Sequence, residues 1–262
     1  MTVRVPAGKP RRLVSLVPSI TETLFEWGVT PVGVTRFCDL AGRGDHPSRE
    51  HDVPPDAPSD ESTIAVVGGT KNPDIEAIVA LEPDAVLMDR EENTRPDADA
   101  LEAAGVTVVA TAVRSLRDVD DAMAVLGEAA GLAYERDTAA FDSARSTGER
   151  TRVFVPIWRR PWMTVSEDTY AGSLLEAVGL VNVFAAEAER YPTVELTRAV
   201  QGRAEVVLAP SEPYAFTDRH RPELETVAPV VFVDGRDLFW WGARTPKALQ
   251  RLDALARGIT AR

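Results

Sequence analysis

Ser115–Arg150 reads SLRDVDDAMAVLGEAAGLAYERDTAAFDSARSTGER and contains no proline. Leu116, Val119, Met123 and Leu126 recur at helical spacing, so an amphipathic helix is predicted here. Gly131 stops it, and a second helical piece is expected from near Tyr134. On both sides of this stretch strands alternate with helices, and the two alternations look alike. The chain therefore divides into an N-terminal α/β lobe (residues 1–114), a connecting helical segment (115–150) and a C-terminal α/β lobe (151–262). A ligand held between the lobes is the expected function.

Working outward towards the N-terminus, Leu13–Val17 is a short apolar run suited to a buried parallel strand. Ser19-Ile20-Thr21-Glu22 matches a capping box, which predicts a helix from Thr21 to Trp27 with Gly28 as its stop. Val32–Val34 returns as a strand. Residues 38–62 are rich in Pro, Asp, Gly and Arg and read as a long surface loop. Its His46 and His51, beside Asp45 and Asp52, match no standard metal-ligand spacing. After Val66–Gly69, Asn72-Pro73-Asp74 opens a helix over 75–81, and Pro83-Asp84 turns into the strand 85–88. Asp89-Arg90-Glu91-Glu92-Asn93 then forms a polar tip at a strand's carboxyl end, where open α/β sheets bind ligands. A helix over 96–104, Gly105 and the strand 106–110 complete the lobe.

The second half repeats this plan. Arg152–Ile157 is a strand, followed by the loop Trp158-Arg159-Arg160-Pro161-Trp162-Met163 and a helix over 170–178. ETLFEWGVTPVGV (22–34) and SLLEAVGLVNVFA (173–185) both read as helix end, glycine stop and short strand. PDIEAIVALEPDAVLM (73–88) and PTVELTRAVQGRAEVVLA (192–209) both give a proline-led helix, a turn and an apolar strand. Two correspondences in one order imply duplicated architecture. The strand 230–233, the loop Asp237–Gly242 and a final helix opened by Thr245-Pro246 close the chain.

The formal net charge of −12 argues against nucleic acid and anionic membrane surfaces as partners. One cysteine, Cys38, precludes an intrachain disulfide. The N-terminus lacks the apolar stretch of a secretory signal, so the chain as written is expected in the cytoplasm, or outside it if a signal has been removed. A monomer is expected.

Four of the five tryptophans (Trp158, Trp162, Trp240, Trp241) lie in second-lobe loops near Phe239, Tyr214 and Phe216. Converging from three loops, they suit the walls of a wide, flat, partly apolar ligand site. Small satellite cores are the plainer explanation for any single one. Arg90, Arg159 and Arg160 offer hydrogen bonds to anionic or amide groups, or serve as surface ion pairs. There is no nucleophile elbow, Walker loop, zinc-protease motif or dinucleotide fingerprint. No catalytic residue and no metal site are assigned.

LVSLVPSITETLFEWGVTPVGVT, NPDIEAIVALEPDAVLM, LEAAGVTVV and TYAGSLLEAVGLVNVF with YPTVEL together resemble the class III periplasmic binding proteins, or helical-backbone metal receptors. The likeness is strongest to their cobalamin-binding branch. It implies two Rossmann-like lobes with central, mostly parallel sheets joined by a long helix, and a non-catalytic receptor for a corrinoid or related metal chelate. No other tightly bound cofactor is implied. By position it gives Pro18, Ser19, Arg36, Phe37 and Arg90 as ligand contacts on the first lobe, with Glu92 added from the polar tip. On the second lobe it gives Trp158, Trp162, Tyr214, Phe239 and Trp240, with Arg159 and Trp241 beside them. The resemblance also implies an ABC permease as partner. Glu76 matches its first docking glutamate, whereas Thr197 stands at the second position with Glu195 off register.

Uptake by an ABC system, or a cytoplasmic derivative of it, is thus the leading reading. Ferric-siderophore or haem binding is the nearest alternative, with His220 or Tyr214 as a metal ligand. An enzyme using Glu91, Glu92, Arg159 and Arg160 on a small polar substrate, and a protein-interaction module, are the competing classes.

Overall fold

In the computed structural model, residues 3–4, 11–40, 64–135 and 150–260 are described. The surface loop's His46 and His51 lie outside them. Contacts divide the chain into two compact units, Met1–Ala112 with Asp121–Arg136, and Val113–Asp120 with Asp137–Arg262.

The first unit is built on a parallel sheet of five strands. These are β2 (Leu13–Ser15), β3 (Gly33–Val34), β4 (Ala65–Val66), β7 (Ala85–Asp89) and β8 (Val108–Thr111), in the order β4-β3-β2-β7-β8. All its paired neighbours run parallel. Helix α1 (Pro18–Glu26) follows β2, α2 (Ile75–Ala80) precedes β7, and α3 (Arg95–Ala103) joins β7 to β8. Val14, Leu16, Val86 and Met88 from the strands pack with Ile78 of α2 and Leu101 of α3 in one core. A two-stranded antiparallel pair, β5 (Gly68–Gly69) with β6 (Asn72–Pro73), sits before α2.

Two expectations here need correction. Helix α1 begins at Pro18, one turn before Thr21, with Val17 as N-cap and no side-chain cap. Proline at the first helical position has its φ already set and no N–H to satisfy, so it starts the helix ahead of the Ser19–Glu22 box. Ser19 is buried inside the first turn, where its carbonyl accepts the Thr23 hydroxyl. Gly28 does end the helix, at φ +73°. The second correction concerns Tyr134. It lies in strand β9 (Ala133–Tyr134), antiparallel to β1 (Val3–Arg4), and residues 136–149, where the second helical piece is expected, lie outside the described residues.

The amphipathic stretch forms α4 (Leu116–Ala130), in which Leu116, Val119, Met123 and Leu126 are buried. Its first turn counts with the second unit and the remainder with the first.

The second unit has a parallel sheet of β10 (Thr151–Phe154), β11 (Leu180–Asn182), β12 (Val206–Pro210) and β13 (Val230–Val233), ordered β11-β10-β12-β13. Chain order maps β10, β11, β12 and β13 onto β2, β3, β7 and β8, and the sheet orders then coincide. Helix α5 (Tyr170–Ala177), capped by the Thr169 hydroxyl, takes the place of α1. Helix α6 (Leu196–Gln201) takes that of α2. A short helix, α7 (Arg221–Leu224), lies between β12 and β13, and α8 (Gly235–Phe239) and α9 (Thr245–Thr260) follow. The duplicated plan read from the two sequence pairings is thus present in strand order. Among the described residues, no helix is long and apolar enough to cross a membrane.

Candidate functional site

Each sheet reverses its winding direction next to its first strand: β3 lies on one side of β2 and β7 on the other, and β11 and β12 flank β10 likewise. Loops leaving the carboxyl ends at such a switch point diverge and leave room for a ligand. In the first unit the carboxyl end of β2 leads into Pro18 and Ser19 of the first turn of α1, and the loop after β7 carries Arg90 to Asn93. In the second such loops carry Trp158 to Met163, and Ser211 to Phe216.

The first unit's polar tip is braced from beneath. Asp89 is buried at the end of β7 and accepts the Glu91 backbone N–H at 2.9 Å and the Thr111 hydroxyl at 2.7 Å. Asn93, also buried, accepts the Asp89 N–H at 2.9 Å and donates to the Leu16 and Thr70 carbonyls. These two side chains couple the loops after β2 and β7, and leave Arg90 and Glu92 outside as exposed groups. Crowding by surrounding protein pushes the Glu92 carboxyl above its ordinary range; Lys71 opposes the shift, and the Asp89 and Glu91 carboxylates add to it. Lys71 donates to the Glu91 carbonyl at 2.6 Å. Arg36 lies over the Phe37 ring at 4.9 Å, and Phe37 is 55% exposed. Cys38 is half-buried between the Thr21 and Thr35 hydroxyls, and burial raises its thiol above the usual range.

In the second unit the loop after β10 is a strapped hairpin. Trp158 and Met163 pair antiparallel, and Met163 pairs in turn with Thr193. Arg160 takes the left-handed conformation at φ +68° at the turn. Trp158, 45% exposed, meets Tyr214 edge-on with centroids 5.5 Å apart. Trp162 stacks on Phe216 at 6.0 Å with planes 8° apart, and Tyr214 tilts against Phe216 at 4.8 Å. His220 closes the cluster beneath Tyr214 and Phe216. Arg159 is engaged by Glu223 at 2.8 Å.

Both nitrogens of His220 are occupied. The Thr217 N–H donates to Nδ1 at 3.0 Å, while Nε2 faces the Arg219 guanidinium at 3.1 Å and the Tyr214 hydroxyl at 3.3 Å. Burial lowers the imidazole's affinity for protons, the charges of Arg219 and Arg159 lower it further, and Glu223 works against them.

The remaining sequence-predicted residues fall into other groups. Phe239 is half-buried with Met163 against Ile157, Val165 and Ala171. Trp240 is half-buried, with the Arg236 and Arg244 guanidinium groups 5.8 and 5.5 Å from its ring. Trp241 is only 5% exposed and is a core residue. Glu76 is exposed in the first turn of α2, two residues past its N-cap Asp74. Thr197 holds the same place after Glu195, the N-cap of α6. Sequence reasoning did not find Glu223, 64 residues from its arginine, or the bracing roles of Asp89 and Asn93. Only the polar character of the tip signalled the latter pair. Among the described residues, no three His, Cys, Asp or Glu side chains gather as metal ligands.

A family profile described as "Periplasmic binding protein" matches residues 13–211. The chain is 24% identical over 218 residues to the vitamin B12-binding protein of Vibrio parahaemolyticus serotype O3:K6, a span that covers 80% of this chain and 71% of the relative. The periplasmic vitamin B12 binding protein BtuF of Vibrio cholerae superposes with a TM-score of 0.71 at 17% identity, covering 97% of this chain and 99% of that one. The periplasmic heme-binding protein RhuT from Roseiflexus sp. RS-1, in apo form, also gives 0.71, at 20% identity and with 95% and 98% covered. At these identities the two solved structures speak to fold alone.

Proposed function

The chain belongs to the periplasmic binding protein family, and from that premise we propose that it binds a corrinoid, without catalysis, at the carboxyl ends of its strands. The observation that carries this reading is the second unit's aromatic cluster, with the half-exposed Trp158 buttressed edge-on by Tyr214. An indole held open by a neighbouring ring offers flat apolar area to a macrocycle at little entropic cost. The relatives named as vitamin B12-binding proteins support the same ligand class.

Engagement of both His220 nitrogens favours a corrinoid over haem. Haem iron commonly takes an axial ligand from protein, and the one lone pair of a neutral His220 imidazole, at Nδ1, already accepts the Thr217 N–H. A cobalamin brings its own axial groups and asks mainly for shape and hydrogen bonds. Trp158, Trp162 and Tyr214 would meet the ring, with Arg159, Phe239 and Trp240 nearby. On the first unit, taken by itself, the candidate contacts are Pro18, Arg36, Phe37, Arg90 and Glu92, while Ser19, buried, would act only as support. Trp241, buried, would act only as support.

The role is that of the substrate-binding component of an ABC uptake system. Glu76, exposed on α2, would face the permease, and Glu195 is the nearest acidic group to the equivalent place on α6. Calorimetric titration with cobalamin, cobinamide and haemin tests the reading. Micromolar or tighter binding of the two corrinoids, with weaker haemin, is the expected result. Tight haemin with no corrinoid binding would replace this proposal with the haem reading.

A further inference from the structure

His220 is buried, and its surroundings fix where the imidazole carries its proton. The Thr217 main-chain N–H can only donate. It points at Nδ1 from 3.0 Å as part of a reciprocal capping box at the start of the short 3₁₀ turn Asp218–His220. A neutral imidazole offers one lone pair, so Nδ1 holds it and Nε2 carries the hydrogen. The opposite tautomer would set an Nδ1 hydrogen against a backbone donor that the turn holds in place. The donor that opposes the assigned tautomer, Arg219 Nε at 3.1 Å, belongs to an exposed side chain that can turn to solvent. The fixed donor therefore decides.

Nε2 faces the Tyr214 hydroxyl at 3.3 Å, so in this tautomer the imidazole donates and the phenol accepts. The hydroxyl's other polar neighbour is the Arg159 guanidinium, which Glu223 holds and which also can only donate. A hydroxyl oxygen accepts two hydrogen bonds and donates one. Both accepting positions of Tyr214 thus face donors and only its hydrogen is left. Among the described residues no further acceptor is bonded to it.

We infer that His220 and Arg159 make Tyr214 a dedicated hydrogen-bond donor to the ligand, so that the site takes a molecule presenting a carbonyl oxygen beside Trp158. The inference rests on the corrinoid reading and deepens it. A corrin carries peripheral amide groups, whose carbonyl oxygens accept, around the flat ring that the indole would meet. Tyr214 is half-buried and edge-on to the half-exposed Trp158, so a macrocycle resting on the indole brings its rim towards the phenol. His220 is then a positioning residue: it acts through the direction it imposes on the phenol hydrogen. The same arrangement works against Tyr214 as a metal ligand, because both of its lone pairs are taken.

Long-range proton–nitrogen NMR of the full chain without ligand reads the tautomer directly. The chain has three histidines, and the signals missing from His220→Asn identify those of His220. At about pH 7.5, where an imidazole is neutral, a pyridine-like Nδ1 and a pyrrole-like Nε2 are expected. The reverse assignment, or an average of the two, overturns the inference.

Titration with cobinamide reads the consequence. Tyr214→Phe keeps the ring, removes the hydrogen and is expected to weaken binding about tenfold. His220→Asn, whose amide oxygen can still accept from Thr217, should weaken binding by itself and add nothing once Tyr214→Phe is present. Unchanged binding in Tyr214→Phe overturns the inference, and so do losses that add, which would make His220 merely structural. A charge-transfer band with haemin that Tyr214→Phe abolishes also overturns it, by making the phenolate oxygen an iron ligand. Failure of the parent to bind cobinamide would remove the corrinoid reading and this inference with it, whereas a reversed tautomer leaves that reading standing.

Discussion

Trp158 stands edge-on to Tyr214, its ring plane inclined at 74°, while nearly half of its surface stays open. Tyr214 in turn rests on Phe216, which is buried and belongs to the core with Phe154, Val207 and Leu224. The outermost ring is thus free to meet a ligand and the innermost is bound to the fold.

Replacing the two ends of this stack should separate binding from stability. Trp158→Ala is expected to weaken corrinoid binding by roughly 30-fold, the equivalent of losing an anchor worth about 2 kcal/mol. Stability should move by no more than about 0.5 kcal/mol, as for exposed positions generally. Phe216→Ala should cost about 3–5 kcal/mol of stability through the cavity it leaves. Calorimetric titration and chemical denaturation of both variants check this; equal binding losses from the two would show that Trp158 is not a contact.

His220 should make stability depend on pH on the mildly acidic side. Its folded-state pKa lies below the ordinary imidazole value of 6.5, chiefly through burial. The unfolded chain therefore takes up a proton first as pH falls. The contribution of neutral His220 is complete above pH 6.5 and is lost as pH drops from there through the depressed value. Protonation also places a second proton at Nδ1, against the Thr217 N–H that donates to it. His220→Gln should flatten the fall in melting midpoint between pH 6.5 and about 5, a range above most carboxylate titrations. An unchanged slope in the variant would locate the effect elsewhere.

Much of this architecture is legible in the sequence, because parallel strands buried on both faces announce themselves as apolar runs. Leu13–Val17, Ala85–Met88 and Val206–Ala209 could be read that way, and glycines such as Gly28 and Gly179 punctuate the helices between them. What escaped depends on partners distant in the chain. Tyr134 is in a strand because Val3 and Arg4 pair with it, and no local periodicity records that. The start of α1 is hard to place from sequence because Pro18 and the adjoining Ser19–Glu22 box are competing start signals. Loop tryptophans were identified as a group, but composition cannot sort Trp158, which faces out, from Trp241, which faces in. Arg159 looked like a ligand arginine, yet Glu223 engages it across 64 residues.

Glu92 should act with the opposite sign to His220. Its folded-state pKa lies above the ordinary glutamate value of 4.5, with crowding as the leading cause. The folded state holds this proton more tightly, so its contribution is complete below pH 4.5 and is lost as pH rises through the elevated value. Glu92→Gln keeps the shape and removes the ionisation. The variant should melt higher than the parent at pH 7, with the gap closing towards pH 4. A gap that is constant across this range would mean that the gain comes from packing.

Asp237 is the buried charge on which the carboxyl-terminal helices depend. It is 6% exposed and accepts from Arg244 at 2.9 Å and from Arg251 Nε at 2.6 Å. One carboxylate thus fixes α8 to Arg244, just before α9, and to Arg251 within it. Removing it takes the Asp237 charge away from the largely buried Arg244 guanidinium, and breaking a buried pair from one side typically costs about 3–5 kcal/mol. Asp237→Ala is expected to lose that much in denaturant unfolding, and Asp237→Asn somewhat less, since the amide oxygen still accepts one hydrogen bond. Arg251→Ala, whose side chain is half-exposed, should cost under about 1 kcal/mol. Equal costs for Asp237→Ala and Arg251→Ala would assign the stability to Arg251 packing and leave the buried Arg244–Asp237 pair without the weight given to it here.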